Sequence, residues 1–556
     1  MTEKRWTGYK QAIAKLAAVM VTIAVIGCLT VHDYGVSWDE LYGTNSVWWN
    51  LNRITRNEPI PGIFEYDGTV FNVATETVFQ VQKKVGKLLS GSQERSERLL
   101  SRQRFESKHA MTFLTALLLY LLVAVIVGLL CGAEFAWLGP VTLALFPRVW
   151  GHGFFNFKDI PFAALFTLCT LIGAYWVAQW TTNPASPNHA SSNHAPEAPR
   201  KRFPIGRDRA TLAAIGYGVC VGLLTGVRAA GLVVIGLPLL AYCLMQVSQR
   251  KAIRLADVLI NFIPAVLTTF IVATVCYPSS WSNPIVWFYR ALTVLSNYGW
   301  DGKVLFNGEF FEPRSLPWAY VPTWIGISVP VIFQVAFVLG LVILMQKYRR
   351  FSPLQQACIV LLLLQIFLLP TLAVVRRSVI YGEIRHFLFI MPGIAAIAAA
   401  AFIWTYQALP KPSLKWASLG FLAVVLLSLG VEMAALHPYE YLYFNRVSGG
   451  LPAANQRFET DYWGLSLRQG MEWINQHDRH PVLVGGPLHS AEVFADEDVA
   501  LRSFAERKLP PNLKKPFYYL SMYGGNRQFQ SYFQECPTLY QVTRQEVPLA
   551  IVRRCE

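Results

Sequence analysis

The stretch SWDELY (37–42) sets two carboxylates side by side, Asp39 and Glu40, shortly after the first long apolar run ends. A carboxylate there could serve as a general base, taking the proton of a hydroxyl as it attacks carbon. It could also cap or solvate the start of a helix, a role that needs only one of the pair. A second cluster, FPRVWGHGFFNFKDIPFAA (146–164), gathers Arg148, His152, Asn156, Lys158 and Asp159 at the edge of another apolar run. Asp159 precedes Ile160–Pro161 and reads as a helix cap. A cap leaves Arg148, His152 and Lys158 unexplained. Charged groups at membrane ends are costly enough to point to function, with snorkelling Lys and Arg as the competing account. A third cluster, RRSVIYGEIRHFLFIMP (376–392), holds Arg385 and His386. A guanidinium there can grip phosphate with a two-pronged fork. Arg228, in TGVRAAG, is a further cation. Acids and cations of this kind are what a general base and an anionic lipid phosphate require. Other chemistries lack their motifs: there is no Walker loop, no GxSxG elbow and no HExxH helix.

Membrane helices must position these clusters. The chain has 556 residues, 53% hydrophobic and 15% charged, with mean hydropathy +0.34; a soluble protein carries about 25% charged residues. The net charge of +15 falls largely in short loops between apolar runs. It therefore reads as orientation signal and headgroup contact, not nucleic-acid binding. No small-residue cleavage site follows the first run, which reads as a retained helix. Eleven spans are expected, near 12–31, 110–131, 134–148, 160–180, 210–227, 230–247, 257–277, 323–345, 355–375, 387–405 and 415–435. Most approach the ~20 residues a crossing needs; 134–148 is short and interrupted by Pro140 and Pro147. Lys4, Arg5, Lys10 and Lys15 put the N-terminus in the cytoplasm. The loops 181–209, 248–256, 346–354 and 406–414 then share that side, and each is basic. The Pro-rich 181–209 loop reads as a flexible linker. The segments 32–109, 278–322, 376–386 and 437–556 fall outside, so all three clusters share one face.

In 68–90, Phe71, Val78, Val81, Val85 and Leu88 recur at helical spacing, which predicts an amphipathic helix on the membrane. Trp48 and Trp49 suit the interfacial belt. The tail from 437 reads as a small α/β or α+β domain. WGLSLRQGMEWINQH predicts a helix, and PVLVGG, PFYYLSMY, TLYQVT and PLAIVRR predict strands, the last two a hairpin. Cys536 and Cys555 could form a disulfide on the oxidising side, or stay as two thiols. Tyr439, Tyr441 and Tyr443 read as interfacial anchors, and Asp461 as a helix cap. The other seven cysteines read as small apolar fillers.

Six stretches together resemble the glycosyltransferase C superfamily, in its bacterial branch of protein O-mannosyltransferase-like and aminoarabinose transferase-like enzymes. They are SWDELY, GHGFFNFKDIPFA, VLFNGEFFEPRSLPWAYVP, EIRHFLFIMP, HPYEYLYFNRVSGG and FETDYWG. The resemblance implies a polytopic α-helical membrane fold with juxtamembrane helices in the first outer loop (1–436) and a soluble periplasmic domain (437–556). It implies transfer of a hexosyl or pentosyl group from a polyprenyl-phosphate donor at the outer face of a bacterial inner membrane. The acceptor would be a lipid, glycan or protein. By motif, Asp39 matches the catalytic base, Glu40 its neighbour and Asp159 the second acidic position. Arg385 matches the donor-phosphate ligand, with Lys158, Arg228 and His386 beside it and Arg148, His152 and Asn156 as secondary candidates. No ligand set demands a cofactor, and a divalent metal near Asp39 and Asp159 stays open. The alternative class is a transporter or flippase for a lipid-linked sugar. It should show repeated halves and broken midplane helices; no internal repeat is visible.

Overall fold

A computed structural model of the chain describes residues 3–90, 96–182, 205–253, 255–296, 299–300, 302–510, 513, 515–524 and 528–556. Most of the expected 181–209 linker lies outside them. The chain begins with α1 (Glu3–Thr30). Two helices of the first loop follow, α2 (Glu40–Arg56) and α3 (Val70–Ser90), and then the long α4 (Glu97–Cys131). Next come α5 (Leu138–Ala144), α6 (Pro147–Phe155), α7 (Asp159–Thr182), α8 (Ile205–Val227), α9 (Leu237–Ser248), α10 (Leu255–Cys276) and α11 (Pro284–Ser296). A hairpin of β1 (Val304–Phe306) and β2 (Glu309–Phe311) leads into α12 (Tyr320–Ser328), α13 (Val331–Lys347), α14 (Pro353–Leu363) and α15 (Leu369–Val375). The bundle closes with α16 (Met391–Ala408) and α17 (Pro412–Leu436).

Among the described residues, nine helical runs are long and apolar enough to cross a membrane, and Asn261–Cys276 is a shorter apolar helix. The expected span at 134–148 is not one helix. Proline removes a backbone donor and clashes with the preceding turn, so the chain breaks into α5 and α6, with Pro147 opening the second. The pair still returns alongside α4: a Cβ on Gly139 would meet the Val123 carbonyl at 2.9 Å, and one on Gly153 would meet the Ala116 Cβ at 3.4 Å. Two short helices therefore stand in place of the single expected span. Arg385–Ala408, which contains α16, is the most buried run, its Ala-rich length letting neighbours approach closely.

One end of the bundle is stitched by Gln355 Nε2 donating to the Leu129 carbonyl (2.7 Å) and Gln249 Nε2 donating to Gln356 Oε1 (3.0 Å). The other end carries the first loop, the starts of α7 and α16, and the tail.

Both helices of the first loop are amphipathic in the inverted sense. On α2, Thr44, Ser46 and Asn50 are buried while Trp48, Leu51 and Ile54 are exposed. On α3, Asn72, Thr75, Glu76 and Phe79 pack inward, whereas Val81, Val85 and Leu88 face out. A polar inner face and an apolar outer face suit helices lying against lipid.

After α17 the chain makes a short helix α18 (Gly450–Ala454) and then a compact α/β unit. It comprises α19 (Leu467–Asn475), β3 (Val482–Gly485), α20 (Leu488–Glu492), β4 (Leu501–Ser503), β5 (Phe517–Met522), β6 (Thr538–Arg544) and β7 (Val547–Cys555). The sheet order is β4-β3-β5-β7-β6; β3 runs parallel to β4 and β5, and β7 antiparallel to β5 and β6. The expected hairpin is β6–β7. β4 was not expected, because three residues carry too little alternation to read. Cys536 and Cys555 are joined in a disulfide. Val36 and Phe105, from the first loop and α4, belong to the core of this unit, so it is packed onto the membrane part.

Candidate active site

The SWDE turn is held from three directions. The Trp38 N–H donates to the Trp463 carbonyl (3.0 Å), His489 Nε2 lies 3.0 Å from the Ser37 carbonyl, and Tyr34 Oη donates to Glu440 Oε2 (2.9 Å). The two acids then part. Glu40 is fully buried: its Oε2 accepts the Ser37 N–H (2.6 Å) and its Oε1 lies 2.9 Å from His109 Nε2. Reaching back three residues is what the acid of a capping box does, so Glu40 fastens the start of α2. Asp39 makes no side-chain cap. Its Oδ2 accepts from Arg385 Nη1 at 3.0 Å, and 27% of its side chain stays exposed.

Arg385 stands where the 376–384 loop enters the α16 run. Gly382 and Glu383 both have positive φ (65° and 63°) and turn the chain. A Cβ on Gly382 would meet Arg385 Nε at 2.7 Å, so the turn needs glycine. The guanidinium lies between Tyr381 (4.9 Å) and Trp463 (4.7 Å), and its Nε has no partner among the described residues. His386 packs edge-on against Tyr381 at 4.9 Å.

At the start of α7, Asn156 does the capping expected of Asp159. Asn156 Oδ1 accepts the Asp159 N–H (2.9 Å) and its Nδ2 donates to Asp159 Oδ2 (2.8 Å). Asp159 Oδ1 meets Arg228 Nη2 at 2.5 Å. Lys158 Nζ donates to Asp67 Oδ2 at 3.0 Å. Three cations thus stand near Asp39. Burial pushes the Asp39 carboxyl up, but the charges of Arg385, Lys158 and Arg228 outweigh it and hold the group below the usual carboxylate range. Burial lowers Lys158, but Asp67 and Asp39 outweigh it and raise the ammonium above its ordinary value.

Two secondary candidates lie deeper. Arg148 pairs with Glu383, donates through Nε to the Tyr443 carbonyl (2.9 Å) and stacks between Trp324 and Phe444. It ties the Arg385 loop to the tail. His152 is buried beside Asn156 (3.1 Å).

Asp39, Asp159 and Asp67 each face a guanidinium or ammonium, and among the described residues no three His, Cys, Asp or Glu side chains converge as a ligand set.

The tail tyrosines are not interfacial anchors. Tyr439, Tyr441 and Tyr443 are buried, because the segment after α17 turns inward against α6. Asp461 accepts Tyr441 Oη (2.5 Å) and the N–H groups of Gly464, Leu465 and Ser466. It therefore organises the turn ahead of α19 and does not cap the helix, whose N-cap residue is Ser466. The sequence reading missed Asp67, whose YDG turn before α3 was the available signal. It also missed Glu383 and Glu440, which reveal themselves only through distant partners.

No family model and no curated protein matches the chain. Among solved structures it is similar to ArnT from Cupriavidus metallidurans bound to undecaprenyl phosphate, at 14% identity and TM-score 0.47, over 99% of this chain and 98% of that one. It is also similar to the Archaeoglobus fulgidus oligosaccharyltransferase in the apo form, at 12% identity and TM-score 0.42, over 88% of this chain and 64% of that one. The same oligosaccharyltransferase in complex with zinc and sulfate aligns at 12% identity and TM-score 0.37, over 91% and 68%.

Proposed function

We propose that the chain is an inverting glycosyltransferase that moves a sugar from a polyprenyl-phosphate donor to an acceptor hydroxyl at the outer face of a bacterial inner membrane. The observation that carries the reading is the Asp39–Arg385 pair (3.0 Å), a partly exposed acid facing a guanidinium with Lys158 and Arg228 close by. Arg385 leaves Asp39 for the donor phosphate, with Lys158 and Arg228 supporting it and His386 beside it. Released from its cation, Asp39 becomes more basic and takes the acceptor proton. The acceptor oxygen bonds to the anomeric carbon, the carbon–oxygen bond to phosphate breaks, and polyprenyl phosphate leaves with the electron pair. Cations aimed at the growing charge stabilise that step. Attack from the opposite face inverts the anomeric centre. Glu40 shapes the turn that presents Asp39.

The basic loops near Arg350 and Lys411 lie at the far end from this site, which supports an outer-face location by the positive-inside rule. The test uses the purified full chain with polyprenyl-phosphate-linked sugars and candidate acceptors, following release of polyprenyl phosphate. Release coupled to transfer is expected. Movement of the intact lipid across liposomes without cleavage would favour the flippase alternative and overturn the reading.

A further inference from the structure

We propose that Asp67 fixes the charge class of the lipid donor, admitting a singly charged phosphodiester and disfavouring a diphosphate. The inference rests on the donor-site reading above. Each cation of that site faces one carboxylate: Arg385 faces Asp39, Arg228 faces Asp159, and Lys158 faces Asp67. The set is therefore charge-balanced. A phosphodiester carries one negative charge and needs one cation released. Arg385 supplies it, because its partner Asp39 is the group that accepts a proton in the reaction. A diphosphate brings at least one more charge and would have to recruit a second cation, Arg228 or Lys158, each paired with its own carboxylate; of those two acids Asp67 is the one open to the ligand, at 34% exposed against 4% for Asp159.

Asp67 is built into place. Its backbone bridges that of Arg228, and a Cβ on the following Gly68 would collide with the Val227 carbonyl. The loop is also pinned by Trp287 Nε1 donating to Glu65 Oε1 (3.0 Å) and by Tyr66 packed on Trp287 (5.4 Å). The backbone thus holds the carboxylate beside Lys158, while 34% of the Asp67 side chain stays open to an arriving ligand. A fixed like charge is an effective way to reject a competitor that shares every attractive contact.

The experiment measures binding of farnesyl methyl phosphate, a phosphodiester, and farnesyl diphosphate to the full chain in detergent. Wild type should prefer the diester. Asp67→Asn keeps an acceptor for Lys158 and should shift the affinity ratio at least tenfold toward the diphosphate, with melting temperature retained; Asp67→Glu should keep the wild-type ratio. Asp67→Ser removes the same charge and should shift the ratio the same way, which keeps the test informative if the Asn variant folds poorly. A wild-type ratio in both Asp67→Asn and Asp67→Ser, with the diester still bound, overturns the role of Asp67 and leaves the donor site standing. If wild type binds neither probe, the donor-site reading falls and this inference with it.

Discussion

Two sets of ion pairs lie within one end of the bundle. In Arg385–Asp39 and Lys158–Asp67, the carboxylates keep 27% and 34% of their side-chain surface. In Arg148–Glu383 and His109–Glu40, no side chain exceeds 3%. The open pairs join segments that can each find another partner in an arriving substrate. The sealed pairs join segments that have no alternative partner, and removing Arg148 strands the buried Glu383 carboxylate. Both sets pair a carboxylate with a basic side chain, and access is what separates them; it divides even the neighbours Asp39 and Glu40.

The largest effect should separate those two neighbours. Asp39→Asn is expected to lower transfer by about 10²–10⁴-fold with little change in melting temperature, read from polyprenyl phosphate release. Glu40→Gln should do the reverse, losing stability while the surviving folded fraction turns over. Equal rates for Asp39→Asn and wild type would break the comparison at its first point.

The sealed set is probed by Arg148→Met, which leaves Glu383 buried without its cation. A loss of about 3–5 kcal/mol is expected, measured by denaturant titration in detergent. Arg148→Met combined with Glu383→Leu should recover much of that loss, because no stranded charge remains. If the double variant is no better than the single one, the pair is not what holds the Arg385 loop.

Cys536→Ser tests a covalent element remote from both sets. It should cost about 2–4 kcal/mol, seen as earlier melting of the tail, with transfer rate per folded molecule unchanged.

The smallest effect concerns His437, which bridges Glu440 Oε1 (2.8 Å) and Asp33 Oδ2 (3.0 Å). Burial lowers its pKa, but bonds to Glu440 and Asp33 outweigh it and raise the imidazole above its ordinary value. The folded state therefore favours the protonated ring. That stabilisation is complete below the unfolded value of about 6.5 and is lost as pH rises through the raised folded value. Hydrogen-exchange protection in residues 31–40, taken relative to the intrinsic base-catalysed rate, should fall as pH climbs through that window in wild type, and should lose this dependence in His437→Gln. A flat wild-type protection profile would show the bridge to be passive.

Much of this was legible in order. Apolar runs mark most crossings, because hydrocarbon demands continuous apolar length. The same runs show that SWDE, KDIP and EIRH fall at matching ends, which is why Asp39, Lys158, Asp159, Arg228 and Arg385 could be grouped before any coordinates. The broken crossing at 134–148 was half-legible: Pro140 and Pro147 announce the break, but not that α5 and α6 still return along α4. The tail tyrosines misled for a physical reason. Tyrosine suits both a membrane belt and a buried hydrogen bond, and only the inward turn of 437–445 selects the second.

By itself the sequence determined the membrane class, the shared end of the three clusters and a tail that mixes helix with strand, since period, length and charge are local properties; the parallel pairing that makes the tail α/β came from the structure. Tertiary structure decided which groups meet. Adjacent residues at a helix start project about 100° apart, so packing against Ser37, His109 and Arg385 buries Glu40 and leaves Asp39 partly exposed beside a guanidinium. Asp67 and Lys158 are 91 positions apart. Their meeting depends on a loop pressed flat against Val227, and no local pattern encodes that contact.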